Sequence, residues 1–186
     1  MDIDVPLRDF GAIDATALRD AILGLDDAAW NEDKFRQNSY DVHQQTRSIV
    51  LLALDDTKWP ERSVHKGHGW ARIGDIAVPI MQEIIENHYP VGGELIRAVA
   101  AKLKAGASIK AHTDVHRSFH SAHRIHVPIT TNPKVWFTID GRPYQFELDH
   151  AYEINNQKQH SVMNRGSEDR ITFIFDYLPP GPLAAP

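Results

Sequence analysis

The sequence predicts a mainly β protein of jelly-roll type, with helices flanking its N-terminal half. Apolar residues alternate with a period of two from Glu94 onward, an Asp140-Gly141 pair sits between two such stretches, and helical spacing of apolar residues occurs only before Pro90. The 186 residues fit one domain. Residues 1–93 read as a mixed α/β support, 94–178 as the β core, and 179–186 as an extended tail.

Taken in order, residues 14–23 carry apolar side chains at Leu18, Ala21 and Ile22 and are followed by Gly24, which predicts a short amphipathic helix with Asp14 as its cap. Residues 48–54 are a short apolar run closed by Asp55-Asp56, better suited to a buried strand than to a helix. Residues 55–75, with Pro60, Gly67, Gly69 and Gly74, predict a long surface loop, in which Trp70 lines a lid or anchors the loop by packing. Residues 76–88 set Ile80, Ile84 and Ile85 on one side and Glu83 and Glu86 on another, a second helix stopped before Pro90. Strands follow at 96–103, 107–110, 125–129, 135–139, 142–148, 151–154 and 171–177. Asp140-Gly141 supplies the positive φ angles of a type I′ turn between two of them. Leu178-Pro179-Pro180-Gly181-Pro182 cannot continue a sheet.

Composition excludes several function classes. Twenty basic against 25 acidic residues give a net charge of -5, so the broad positive field that nucleic-acid binding needs is missing. No cysteine is present, which removes disulfides, thiolate metal sites and a cysteine nucleophile. No apolar run approaches the ~20 residues of a membrane span, and the first residues lack a secretory pattern, so a cytoplasmic protein with no membrane partner is expected. The sequence is silent on oligomeric state. Eleven histidines stand out, seven of them between 112 and 160.

That cluster contains His112-Thr113-Asp114. On an extended segment residues i and i+2 point to the same side, so an imidazole and a carboxylate converge there, whereas on a helix they diverge by about 200°. Two nitrogens and one carboxylate on one face of an ion form the facial triad of non-haem Fe(II) oxygenases. His160, which precedes a predicted strand, is the candidate second histidine. Enzymes with this triad commonly take electrons from 2-oxoglutarate, whose distal carboxylate matches the planar fork of an arginine. Arg170, ten residues after His160 and just before the last core strand, is placed to receive it.

The run 103–114 ending in His112-Thr113-Asp114, then Arg124-Ile125-His126-Val127-Pro128-Ile129, then Asn155-Asn156 through His160-Ser161-Val162-Met163-Asn164, then Arg170-Ile171, resembles the aspartyl/asparaginyl β-hydroxylase family of 2-oxoglutarate-dependent oxygenases. The resemblance spans about residues 94–178. It implies a double-stranded β-helix core, Fe(II), 2-oxoglutarate and O2 as cofactors, metal ligation by His112 and His160, and contact of Arg170 with the distal carboxylate. Arg124 and His126 match the family's Arg-x-His pair, which sits against the cosubstrate. The best-known animal members carry glycine at the position of Asp114; a complete His-x-Asp…His triad resembles the bacterial branch. The implied activity is hydroxylation of an unactivated C–H bond in an amino acid or peptide side chain. On the family's plan, Tyr40, His43 and Arg47 lie in the region that supplies substrate contacts.

Two other readings of the same residues belong to different classes. His112, His116, His120 and His123 would line one face of a helix and form a zinc site of hydrolytic type, although no glutamate sits between them as a metalloprotease motif requires. A cupin-like binding module without catalysis would have no use for Arg170.

Overall fold

Residues 170–178 alternate between two chemistries, and the molecule is organised around that alternation. Arg170, Thr172, Ile174 and Asp176 fall on one face of the strand, Ile171, Phe173, Phe175 and Tyr177 on the other. The computed structural model describes residues 1–32 and 45–183. Among them the order is β1 (Leu7–Ala12), α1 (Thr16–Leu23), α2 (Asp27–Asn31), β2 (Thr46–Leu54), β3 (Val64–Lys66), α3 (Trp70–His88), β4 (Glu94–Leu103), β5 (Ser108–His112), β6 (His123–Thr130), β7 (Val135–Ile139), β8 (Arg142–Tyr144), β9 (His150–Ile154), β10 (His160–Asn164) and β11 (Arg170–Leu178). The strands form a seven-stranded sheet in the order β1-β9-β6-β11-β4-β2-β3 and a four-stranded sheet in the order β5-β10-β7-β8. The fold is mainly β, with two antiparallel sheets, as the sequence predicts.

The apolar face of β11 packs against the helices. Phe173, Phe175 and Tyr177 share one core with Ile49 and Leu51 of β2, Ala98 and Ala100 of β4, Leu18 and Ile22 of α1, and Ile73, Met81 and Ile84 of α3. The alanines of β4 are small enough to let helices lie close over the sheet centre. A second core, with Leu103, Phe137, Tyr152, Ile154 and Val162, fills the space between the two sheets. The polar face of β11 looks into that space.

Element limits differ from the sequence expectation at several places. The segment 55–75 is not one surface loop: it holds a 3-10 turn at Asp56–Lys58, strand β3 and the first turns of α3, which begins at Trp70. Gly69 is pressed against β2, where an added Cβ would stand 2.4 Å from Ile49 Cγ2, and Gly74 lies under the Trp70 ring. These glycines permit close packing rather than loop motion. Lys66 Nζ lies over the Trp70 ring, 4.3 Å from its centroid, and the ring packs against the core beneath the sheet, so Trp70 is an anchor. At α1 the capping position is Ala15; Asp14 accepts from Thr16 N–H at 3.0 Å from one residue further out. The strand after Asp140-Gly141 stops at Tyr144, although both turn residues have the expected positive φ, 51° and 75°. β1 and α2 are too short and too mixed in polarity to show a period. No helix among the described residues is long and apolar enough to cross a membrane.

Candidate metal and cosubstrate site

The antiparallel pairing of β5 with β10 sets His160 directly opposite His112. Their rings lie side by side, with centroids 4.4 Å apart. Each ring is held the same way: His112 Nδ1 lies 2.8 Å from the Lys110 carbonyl and His160 Nδ1 lies 3.0 Å from the Lys158 carbonyl. A carbonyl only accepts, so each Nδ1 carries the proton and Nε2 is the ring nitrogen with the lone pair a metal would take. Asp114 follows the end of β5, where its N–H donates to the Asn156 carbonyl at 3.3 Å. Its Oδ1 stands 3.9 Å from His112 Nε2. One potential ligand atom from each of His112, Asp114 and His160 lies within 4.8 Å of the others, a donor set suited to a divalent first-row ion. Burial pulls the His160 pKa down against the opposing pull of Asp114, which keeps the imidazole neutral, the form a metal requires.

The cavity beside these three residues is also lined by Arg124, His126 and Arg170. All six site residues named from the β core therefore meet in one place. Arg170 is 4% exposed at the start of β11. No carboxylate among the described residues pairs with it, and burial alone pulls its pKa down to about 10. On the same face two residues on, the Thr172 hydroxyl is buried without a partner. His126 is buried with neither ring nitrogen bonded, and its pKa falls well below the usual histidine range through burial and the nearby Arg170 and Arg124 charges. Buried polar groups are nearly always paired. Two unpaired ones lining an open cavity, Arg170 and His126, with Thr172 on the same face of β11, fit an anionic, oxygen-rich ligand such as a dicarboxylate.

Arg124 lines the cavity, and three of its N–H donors serve carboxylates: Nη1 donates to Asp114 Oδ2 at 2.6 Å, Nε and Nη2 to Asp176 Oδ1 and Oδ2 at 2.8 and 2.9 Å. Burial works against its charge, and the two carboxylates outweigh burial and raise its pKa. Asp176 escaped sequence inspection, although it shares the face of Arg170 by the period of two.

Tyr40 and His43 lie outside the described residues. Arg47 is not brought to the cavity: on β2 its Nη1 stands 3.4 Å from Asp27 Oδ1, while its neighbour Thr46 contributes to the lining. The helical zinc arrangement does not form either, because the chain from 112 to 123 leaves a strand, makes a 3-10 turn at Arg117–His120 and enters β6. His116 bonds Ser118 Oγ at 2.8 Å, and His123 bonds Glu153 Oε1 at 2.5 Å.

Comparison with known proteins agrees with this fold. The fold is similar to a viral collagen prolyl hydroxylase from Paramecium Bursaria Chlorella virus-1 solved with 2OG (TM-score 0.59, 8% identity, 96% of this chain and 98% of that one). It is also similar to a 2OG-Fe(II) oxygenase family oxidoreductase from Burkholderia pseudomallei (TM-score 0.56, 8% identity, 72% and 67%) and to a Pseudomonas putida prolyl-4-hydroxylase (TM-score 0.53, 11% identity, 96% and 95%). A search of curated protein sequences finds no match. The sequence profile described as Aspartyl/Asparaginyl beta-hydroxylase matches residues 21–180, a span that takes in α3, every strand except β1 and every candidate ligand, and the chain belongs to that family.

Proposed function

We propose that the protein is an Fe(II)- and 2-oxoglutarate-dependent dioxygenase that hydroxylates an unactivated C–H bond in the side chain of an amino acid or peptide. The observation that carries this is the unpaired, buried Arg170 in the same cavity as His112, Asp114 and His160. Bound Fe(II) and 2-oxoglutarate supply the oxidising power, one atom of O2 entering succinate as CO2 is lost and the other entering the substrate.

The protein's own residues bind, orient and exclude water. His112 and His160 present Nε2, and Asp114 presents the oxygen that Arg124 leaves open. Arg170 takes the distal carboxylate of the keto acid, with the Thr172 hydroxyl as second donor. His126, neutral and unbonded, offers one donor and one acceptor to the same ligand. Phe137, with Ile154 and Val162 beside it, keeps that end of the cavity apolar. The hydroxylase names of the family and of two similar folds support a side-chain substrate.

Incubation with Fe(II), ascorbate and 2-oxoglutarate is expected to give slow succinate formation without added substrate. Arg170→Ala is expected to raise the KM for 2-oxoglutarate by roughly 100-fold, the scale of a lost buried charge pair. No succinate, together with no calorimetric binding of 2-oxoglutarate by the Mn(II)-loaded protein, would sink the proposal.

A further inference from the structure

We propose that Asp176 is a positioning residue for Asp114, acting through Arg124. The inference rests on the proposed metal site and concerns how its one carboxylate is aimed. Five charges alternate in sign from the rim inward: Asp56, Arg97, Asp176, Arg124, Asp114. Asp176 sits at the centre, fully buried, directly across β11 from Arg124 of β6 on one side and Arg97 of β4 on the other. Arg124 grips both of its oxygens, at 2.8 and 2.9 Å, whereas Arg97 reaches only Oδ2, at 3.3 Å, and also bonds Asp56 and Ser118 Oγ. The Phe119 ring fills the gap between the two arginines, 4.4 Å from the guanidinium carbon of Arg124 and 4.5 Å from that of Arg97.

A guanidinium is planar and rigid, so fixing one edge on Asp176 fixes the direction of the remaining donor. That donor, Nη1, meets Asp114 Oδ2 at 2.6 Å. With Oδ2 engaged, Oδ1 is the oxygen left facing His112. Charge points the same way. An Arg124 without its counter-charge would repel a divalent cation, and Asp176 cancels it. A purely structural role does not require this arrangement, because the β6–β11 ladder already aligns the two strands and a buried ion pair is seldom worth more to stability than a well-packed apolar pair.

The test is Mn(II) affinity by calorimetry on the full chain without 2-oxoglutarate. Asp176→Asn, folded by circular dichroism, is expected to bind Mn(II) 10- to 100-fold more weakly, as loss of such an outer partner does in known metal sites. Arg124→Lys keeps the charge but cannot hold three oxygens in one plane, and it is expected to weaken binding likewise. Phe173→Ala, on the helix-facing side of β11, serves as the control that lowers stability while leaving Mn(II) affinity in place. A folded Asp176→Asn or Arg124→Lys with wild-type affinity overturns the role of Asp176 and leaves the metal site standing. A wild-type protein that binds no Mn(II) overturns the metal site itself. Should neither variant fold, a structure of the wild type with Mn(II) decides: Asp114 ligating through Oδ1 alone, with Oδ2 still on Arg124, is the expected result, and Asp114 ligating through both oxygens is the contrary one.

Discussion

His126 shows how one residue's surroundings become a measurable property of the molecule. Its ring is buried edge-on to the stacked pair Phe137 and Phe146, whose centroids lie 5.5 and 6.2 Å away, and neither nitrogen has a partner. Burial first, then the charges of Arg170 and Arg124, hold its pKa well below the unfolded value of about 6.5. For a base with a lowered folded pKa the sign is fixed: below pH 6.5 the unfolded chain takes up a proton that the folded chain does not, so stability falls as the pH falls. The loss from one such group reaches at most about 1.4 kcal/mol per pH unit. Urea unfolding of the metal-free protein at pH 7.5 and 5.5 is expected to show a larger acid loss for the wild type than for His126→Gln, by about 1 kcal/mol. Equal losses would mean that His126 is protonated in the folded state.

At the scale of elements, β11 separates stability from ligand binding between adjacent residues. Phe173 is buried in the core beneath the helices, and Phe173→Ala is expected to cost about 3–5 kcal/mol in urea unfolding. Thr172 faces the other way with an unpaired buried hydroxyl, so Thr172→Val removes an unsatisfied group and is expected to leave stability unchanged or slightly higher. The same variant is expected to weaken 2-oxoglutarate binding to the Mn(II)-loaded protein several-fold by calorimetry; unchanged affinity would take Thr172 out of the site. The alternation that makes this contrast possible is visible in the sequence, as are His112, Asp114 and Arg170, because a strand's period of two needs no knowledge of its neighbours. The Arg124–Asp176 pair is not visible: the two residues are 52 apart, and only the register of β6 on β11 makes them opposite. The start of α3 is hidden for a related reason. Gly67 and Gly69 read locally as loop residues, whereas their function is to let the chain touch β2, a contact set by tertiary packing.

Across the whole molecule, the candidate ligands divide between the two sheets. His112 and His160 belong to the four-stranded sheet, while Arg124, His126 and Arg170 belong to the seven-stranded one. On the proposed function, a metal ion alone would engage the first set and a dicarboxylate alone only the second. A keto acid held by the metal at one end and by Arg170 at the other would join the sheets, so each ligand would strengthen the hold of the other. Ligand at about 100 times its Kd stabilises a fold by about 2.7 kcal/mol, which for a chain of this size is roughly 5–10 °C in Tm. Mn(II) and 2-oxoglutarate together are therefore expected to raise Tm by more than the sum of their separate effects, with 2-oxoglutarate alone giving little. In Arg170→Ala the surplus is expected to vanish while the Mn(II) increment persists, because the bridge is cut at the seven-stranded sheet and the metal ligands are untouched. Strictly additive shifts in the wild type would mean that the two ligands bind without bridging the sheets.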